Sequence, residues 1–210
     1  MVGVRSIYVP QSFAESDTST LHAFMRRSSF AVLTTCGEGG LAASHLPLLL
    51  DAEDGPRGRL FGHMARANPQ WRQAECDALA VFSGPHAYVS PTWYQEEGTV
   101  PTWNYVAVHA YGRLRIVVDE EAVLEILRRS VATYEAAMPT PWTFDAASPY
   151  IRVQLKAIVG FQLEIDRLEG KWKLSQNHPS HRRRRVAGAL AAQSDADSVA
   201  IAEMMRQGLS

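Results

Sequence analysis

The residues at positions 62–71 combine polar side chains with the start of a helix. An apolar strand ends here, Asn68 is a favoured N-cap residue, and Pro69 suits a first helical position. A helix start presents unpaired backbone N–H groups and a positive dipole, and Arg66 adds a planar charged donor. The segment therefore indicates an anion site, and our hypothesis is a phosphate. The alternative, favoured for this segment alone because capping signals are common, is that Asn68 only caps the helix and Arg66 is a solvated surface charge.

Three further segments mix polar and aromatic side chains. Residues 43–47 place a serine and a histidine inside an otherwise apolar strand, and residues 100–105 pack two aromatics around an amide. In residues 170–177, two lysines could neutralise a phosphate, while a tryptophan and amide side chains could hold a planar heterocycle. Each segment alone is more typical of a tight turn, but four such segments in one chain favour a polar ligand pocket. The candidate residues in these three segments are Ser44, His45, Trp103, Asn104, Lys171, Lys173, Ser175, Gln176 and Asn177.

Other kinds of site have little support. Cys36 and Cys76 belong to no paired-cysteine motif, and among seven histidines only His178 and His181 are closely spaced. The sequence contains neither a nucleophile elbow nor a glycine-rich phosphate loop. The glutamates at residues 96–97 are expected to form a solvated acidic surface. We therefore expect no metal site and no hydrolytic chemistry.

Residues 181–185, a histidine followed by four arginines, form the one basic run. Such a run can contact a nucleic-acid backbone, so DNA is a possible partner of residues 182–185. Two alternatives are a solvated helix start and a patch that pairs with acidic groups of a partner subunit. The formal net charge of the chain is −1, whereas stand-alone nucleic-acid binders usually carry a basic excess. The composition therefore favours the alternatives over DNA binding.

Length and composition are those of an ordinary soluble globular protein. The 210 residues suffice for one substantial core, and 46% of them are hydrophobic and 20% charged. No apolar run approaches the roughly 18 residues of a membrane span, and the N-terminus lacks the apolar block of an export signal. Two cysteines far apart in sequence suggest no disulfide framework and fit a reducing cytoplasm. We expect a single cytoplasmic domain without membrane contact.

Short, closely spaced strands joined by turns predict an antiparallel barrel with flanking helices, in the mainly β (α+β) class. Apolar and β-branched residues indicate the strands, and Gly84 with Pro85 predicts a break between two of them. Capping residues and apolar positions at helical spacing indicate the helices. The predicted strands are residues 30–35, 41–50, 59–63, 78–82, 87–90, 104–110, 113–118 and 158–165, and the predicted helices are residues 17–27, 69–75, 119–137, 148–156 and 194–206.

Four segments of this chain, taken in order, resemble the signature blocks of the PaiB family of FMN-binding negative transcriptional regulators. They are residues 63–69, 84–91, 100–105 and 170–177, and the N-terminal residues 8–10 with Phe13 also fit. The resemblance implies an FMN-binding split β-barrel similar to pyridoxamine-phosphate oxidase. It also implies a homodimer with FMN in a groove between the subunits, and repression of sporulation and degradative-enzyme genes. We expect a single split-barrel domain over residues 1–210 with a helical extension at about 184–207.

The resemblance also implies roles for the candidate residues. Ser44 and His45 would face the flavin ring or ribityl chain, and His63, Arg66 and Asn68 would surround the phosphate. Trp103 and Asn104, together with the block at residues 173–177 from either subunit, would close the groove. The chain departs from the family pattern after Asn177, where a mixed stretch is replaced by the basic run.

Two other functions stay open from the sequence. A bound FMN with an open ring face and a reductant such as NAD(P)H would make the chain a flavin-dependent oxidoreductase. Split barrels related to this group also hold haem, and the chain is rich in histidine, so a haem-binding protein is a further alternative.

Overall fold

The computed structural model of the chain describes residues 6–209. Residues 1–5, part of the segment from which we predicted no export signal, lie outside this range, as does residue 210. The described residues form one antiparallel sheet with α-helices packed around it. The strands are β1 (Ala14–Glu15), β2 (Phe30–Gly37), β3 (Gly40–Pro47), β4 (Leu49–Asp51), β5 (Arg59–Ala65), β6 (Asp77–Val89), β7 (Thr102–Val117) and β8 (Ile158–Lys173). The α-helices are α1 (Thr18–Arg27), α2 (Glu120–Glu135), α3 (Pro149–Leu155), α4 (Ser180–Ala191) and α5 (Ala196–Gln207), and short 3-10 helices span Gln11–Phe13, Pro69–Gln73 and Pro91–Tyr94.

The sheet closes into a barrel through the chain itself. Its strand order is β3-β2-β6-β7-β8-β5-β4, and β1 pairs with β8. The first and last strands of this order, β3 and β4, are separated in sequence only by Leu48, which is buried. The two ends of the sheet must therefore meet at Leu48. This confirms the predicted mainly β, antiparallel barrel with flanking helices.

The interior of the barrel is filled by the inward-facing side chains of alternating positions. On β2, the inward positions are Ala31, Leu33 and Thr35, and all three are buried. Phe82 on β6 and Phe161 on β8 are fully buried in the same core. Each fully buried phenylalanine contributes about 1.5–3 kcal/mol relative to an exposed one. The core thus fixes which side chains point outward, where a ligand could reach them.

The helices pack on the barrel in three groups. Helix α1 inserts its apolar face into the main core, and α2 with α3 builds a smaller core outside β7 and β8. Helices α4 and α5 pack on each other and on β6. The buried residues of these groups are Leu21, Phe24 and Met25 from α1, Val123, Leu124 and Leu155 from α2 and α3, and Val186, Leu190, Ile201 and Met205 from α4 and α5.

Strands β2 and β5 end two residues later than the sequence predicted, and three other strands differ from the prediction by much more. The predicted break at Gly84 and Pro85 is wrong: β6 continues through both residues, with a register shift between Ser83 and His86. A bulge accommodates a proline because proline has no N–H to donate to the ladder. The two strands predicted at 104–110 and 113–118 are one strand, β7, with an irregularity between Tyr111 and Gly112. Strand β8 extends past its predicted end at residue 165 to Lys173.

The helix predicted at residues 69–75 is a 3-10 helix, Pro69–Gln73, rather than an α-helix. The predicted C-terminal extension corresponds to two helices, of which the first already begins at Ser180. That the whole chain forms one domain stays a prediction. Among the described residues, no helix is long and apolar enough to cross a membrane.

Candidate functional site

The barrel has a gap between β3 and the second half of β5. Strand β3 pairs only with β2, and β4 pairs with β5 only at its first three residues, 59–61. Within residues 6–209, the outer edge of β3 and the facing edge of β5 at residues 62–65 therefore have no partner strand. We call this gap the split. Backbone N–H and C=O groups along such edges need water or a ligand as partners.

Two of the predicted ligand residues meet across the split. The amide Nδ2 of Asn68 donates to the hydroxyl of Ser44 at 2.8 Å, which joins the loop after β5 to β3. The Oδ1 of Asn68 accepts the backbone N–H of Gln70 at 3.0 Å, so the predicted N-cap is confirmed. Asn68 thus fixes both the start of the 3-10 helix and the width of the split at this point.

The buried Gln70 anchors the 3-10 helix at the end of the split, a role that no local sequence pattern indicates. Its side chain is 2% exposed, and its Nε2 donates to the Leu33 carbonyl at 2.9 Å and to the Thr35 hydroxyl at 3.2 Å. The Thr35 hydroxyl in turn donates to Gln73 at 2.7 Å. A glutamine after a proline in a polar segment resembles any solvated glutamine, because only the tertiary fold brings β2 beneath it.

Arg66 is neither a free surface charge nor fully available to a ligand. Its Nε donates to the carbonyl of Lys156 and its Nη2 to the carbonyl of Ile158, each at 2.8 Å. Its backbone N–H also donates to the Ala157 carbonyl at 2.8 Å. The remaining Nη1 group has no hydrogen-bond partner in the part of the chain that the structure describes. Arg66 therefore braces the start of β8 and keeps one charged donor edge open.

The two histidines of the split lie on the outer side of their strands. His45 is opposite Val32 in the β2–β3 ladder and packs on the Phe30 ring at 6.2 Å. His63 lies opposite Gly160 and is half-buried. Burial lowers the pKa of His63 below its ordinary value of 6.5, so this side chain is neutral at pH 7. A neutral imidazole can donate one hydrogen bond and accept another without adding charge.

Four of the predicted residues lie away from the split. Asn104 is fully buried, exchanges hydrogen bonds with the Ser175 hydroxyl at 3.1 and 3.2 Å, and also lies 3.4 Å from the sulfur of Met205 on α5. The Gln176 side chain closes its own turn through the Leu174 N–H and the Trp172 carbonyl, and Asn177 is exposed. The Asn104–Ser175 pair satisfies buried polar groups where α5 meets the barrel, so its observed contacts are structural.

The remaining three predicted residues lie on the outer face at the far end of β8 and on its neighbour β7. Lys173 is opposite Tyr105 and Lys171 is opposite Ala107, so these side chains share one face of the sheet. Trp103 is exposed and lies within 6.1 Å of the His86 ring. Since Arg66 braces the opposite end of the 16-residue strand β8, one protomer does not bring Arg66 and the lysines together.

The interpretation of Glu96 as a solvated acid is wrong, because its carboxylate forms hydrogen bonds with three side chains of the basic run. His181 and Arg182 contact its two carboxylate oxygens at 2.9 and 2.7 Å, and Arg185 donates to it at 2.9 Å. These hydrogen bonds, led by that of Arg182, lower the pKa of Glu96. Arg183 donates to the carbonyl of Gly208 at 2.9 Å. The run thus fastens α4 to the loop after β6 and to the end of α5.

Comparison with protein families agrees with the split-barrel geometry. Residues 7–167 match the family model described as "Putative FMN-binding domain". The chain is 35% identical over 206 residues to the protease synthase and sporulation protein PAI 2 of Bacillus subtilis, covering 97% of this chain and 98% of that protein. It is also 33% identical over 212 residues to an uncharacterized protein of Emericella nidulans, covering 81% and 84% of the two chains.

Solved structures show the same fold at low sequence identity. The flavocytochrome Anf3 of Azotobacter vinelandii superposes with a TM-score of 0.57 and 17% identity, covering 79% of this chain and 72% of that one. The FAD and heme binding protein of Mycobacterium smegmatis gives a TM-score of 0.57 and 14% identity, covering 76% and 73%. At these identities the likeness concerns the fold.

Proposed function

This chain belongs to the family described as "Putative FMN-binding domain" and is an FMN-binding protein, and we propose that the split holds the phosphate of its flavin. The observation that carries the proposal is the contact of Asn68 with Ser44 across two strand edges that lack a partner strand in the described residues, with the partly open guanidinium of Arg66 two residues before Asn68 in the chain. Flavin monophosphate ends in a phosphate that needs several hydrogen-bond donors and a compensating positive charge.

The donor set of the split fits a phosphate. The open Nη1 of Arg66 supplies a charge, and the unpaired edge of β5 supplies backbone N–H groups. Asn68 donates one amide N–H to the Ser44 hydroxyl, so the Ser44 O–H and the second Asn68 N–H are donors that a phosphate oxygen can accept from. His63 and His45, on the outer side of the split, would line the path of the ribityl chain and the ring. When bound, FMN supplies redox chemistry, while these residues bind and orient it.

We further propose that a second copy of the chain completes the flavin groove. The outer faces of β2 and β6 carry Val32 opposite Val81, and Leu79 beside them, all only half-buried in one protomer. Phe30 and Tyr88 are large apolar side chains exposed on the same strands. A continuous apolar face on a sheet that adjoins a ligand site is what a homodimer would cover.

An FMN titration tests the flavin proposal. We expect the purified protein to bind FMN with flavin absorbance, and Arg66→Ala to weaken binding by roughly 10- to 100-fold, because a charged hydrogen bond contributes about 1.5–3 kcal/mol. Arg72→Ala is the matched control, since Arg72 lies in the adjacent 3-10 helix and stacks on Trp71. Melting curves of both variants separate lost binding from lost stability. Unchanged affinity in Arg66→Ala would place the phosphate elsewhere.

A regulatory role is the second function we propose, on the basis of the relative whose name links it to sporulation. In this chain three members of the basic run are already occupied by Glu96. If the run contacts DNA, Glu96→Gln should release these side chains and strengthen binding to the chain's own promoter. A gel shift at rising salt measures this. A shift unaffected by Glu96→Gln and by Arg184→Ala would exclude the run as the DNA contact.

A further inference from the structure

Lysine is rare in this chain and concentrated at one place. Of 21 basic residues only three are lysines, Lys156, Lys171 and Lys173, and every other positive side chain is an arginine. Lys171 and Lys173 point to the same outer face of β8, two residues apart. A lysine ammonium is a compact point charge that shifts its protonation when buried, unlike the guanidinium of arginine.

Lys171 is buried against aromatic rings. Lys171 is only 7% exposed, and its Nζ donates to the backbone carbonyl of Tyr8 at 2.8 Å. The same nitrogen is 5.4 Å from the centre of the Tyr8 ring and 5.3 Å from that of Tyr105. Rings attract a cation through their electron-rich faces, but they do not neutralise its charge.

Lys173 is half-buried and also bound only to neutral oxygens. Its Nζ donates to the Thr102 hydroxyl and to the Trp103 carbonyl, each at 2.5 Å. Burial, together with the charge of Lys171, lowers the pKa of Lys173. In the described part of the chain no carboxylate lies within 4 Å of either ammonium. The nearby Glu169 instead accepts from the Ile7 N–H and pairs with Arg167.

Two neighbouring ammonium groups without a counter-charge are electrostatically costly. Burial removes water from each charge, and the second charge repels the first. An anion placed between the two lysines would remove both costs. Positive charge without an acidic partner among residues 6–209 therefore points to an anion from outside the chain.

A hollow beside the lysines has the shape for an aromatic molecule. It has a volume of about 360 Å³ and lies where β6 bulges away from β7. Its walls include His86, Trp103 and Tyr105, and Tyr105 stands directly opposite Lys173 in the ladder. The lysines do not line the hollow themselves, but the ammonium of Lys171 lies 5.3 Å from the Tyr105 ring that does, so aromatic walls next to a pair of cations fit a flat ring that carries a negative group.

We propose that Lys171 and Lys173 form a binding site for the carboxylate or phosphate of a small aromatic molecule, with Tyr105 and Trp103 against its ring. Within one protomer the site is separate from the split, because Arg66 and the lysines lie at opposite ends of β8.

Reductive labelling with 4-formylbenzoate, an aromatic aldehyde that carries a carboxylate, tests the site. The neutral amine of a lysine attacks the aldehyde to give an imine and water, and cyanoborohydride then delivers hydride to leave a secondary amine. With three lysines in the chain, peptide mass mapping assigns every adduct. We expect Lys173 to be labelled at about a tenfold lower reagent concentration than the exposed Lys156, and benzaldehyde, which lacks the carboxylate, to lose this preference.

Protection and variants complete the test. Benzoate and inorganic phosphate should each protect Lys173 but not Lys156, and Lys171→Gln should abolish that protection. Lys173→Arg keeps the charge, so Lys171 should still be protected by benzoate if the fold is intact.

Equal labelling of Lys156 and Lys173 without protection would overturn the proposal. A loss of FMN affinity in Lys171→Gln as large as in Arg66→Ala would assign the lysines to the flavin phosphate and overturn the separate site. The labelling of flavin-free protein is informative even if the flavin proposal fails.

Discussion

Arg66 performs a structural task with one part of its guanidinium and leaves another part open. The planar fork reaches two carbonyls at the start of β8 through Nε and Nη2. A lysine has the charge but lacks the fork, and cannot satisfy both carbonyls and an anion at once. The same side chain therefore holds the start of β8 in place and keeps one N–H edge of its guanidinium for a ligand.

Arg66→Lys tests this division of tasks. We expect the variant to lower the free energy of unfolding by about 1–2 kcal/mol, because one carbonyl at the start of β8 loses its donor. FMN affinity should fall less than in Arg66→Ala, since the positive charge remains. Urea unfolding and FMN titration measure the two effects. Unchanged stability would contradict the bracing role of the guanidinium.

Three histidines predict how stability depends on pH. Burial lowers the pKa of His63, of His109 and of His178, with Arg182 and Lys173 adding to the effect at His178. The unfolded chain therefore binds more protons than the folded chain once the pH falls below about 6.5. The contribution of these histidines to stability should be fully present above that pH and should decrease progressively as the pH falls towards 5.

Melting temperatures in buffers of matched ionic strength measure this slope. His63→Gln and His109→Gln should each flatten the decrease between pH 7 and pH 5. The control is His45→Gln, which replaces an exposed imidazole on β3. A slope that the first two variants leave unchanged would assign the acid sensitivity to other groups.

Sequence reasoning identified residues whose role is local and missed those whose role is tertiary. Asn68 was found as an N-cap because the signal lies within three residues of it. Gln70 and Glu96 were missed, because their partners are at least 28 residues away in sequence and come together only when the barrel closes. The roles of the flavin residues came from the family resemblance and stay predictions.

At the scale of strands and helices, Gly112 allows the backbones of β7 and β8 to approach more closely than any side chain would permit. A Cβ built on Gly112 would lie 1.8 Å from the Glu164 carbonyl oxygen of β8, at the irregularity between the two strands. We expect Gly112→Ala to destabilise the protein by at least about 3 kcal/mol, since the backbone of β8 must shift. Urea unfolding followed by circular dichroism gives this value.

Gly188→Ala is the matched control for that substitution. Gly188 lies in α4, and a Cβ there would meet no heavy atom within 4 Å. Alanine should therefore stabilise the protein by about 0.5–1 kcal/mol through helix propensity. Equal effects of the two substitutions would mean that the β7–β8 crossing is looser than the structure indicates.

The sequence predicted element types better than element lengths. The apolar and β-branched run of β2 and the capping residues of α1 and α2 are local signals, and the structure follows both. Strands β6, β7 and β8 were predicted too short because glycine, proline and polar residues normally end strands. In a barrel, bulges absorb such residues and the ladder continues past them.

At the scale of the whole molecule, the location of the split follows from how the barrel closes. Because only Leu48 separates β3 from β4, β4 pairs with β5 for three residues and then diverges from it. Among the described residues, the rest of β5 faces the edge of β3 without pairing to it. Closure of the fold thus creates the gap that Asn68 and Ser44 bridge, and His63 and Arg66 lie on β5 and in the loop that follows it.

The proposed homodimer gives the prediction that involves the molecule as a whole. Val81 lies at the centre of the outer face, opposite Val32 on one side and His109 on the other. If a second copy covers this face, light scattering after size exclusion should give twice the mass of the chain. Val81→Glu would bury an unpaired carboxylate in the interface, which costs several kcal/mol, and should give monomers at micromolar concentration.

The control is Val153→Glu on α3, where the valine is 64% exposed. Both variants should keep the circular dichroism of the parent, because Val81 points away from the barrel core. If the groove lies between subunits, the Val81→Glu monomer should also bind FMN more weakly, whereas Val153→Glu should not. A Val81→Glu protein that stays dimeric would place the interface on another face, and a monomer with full FMN affinity would show that one copy holds the flavin alone.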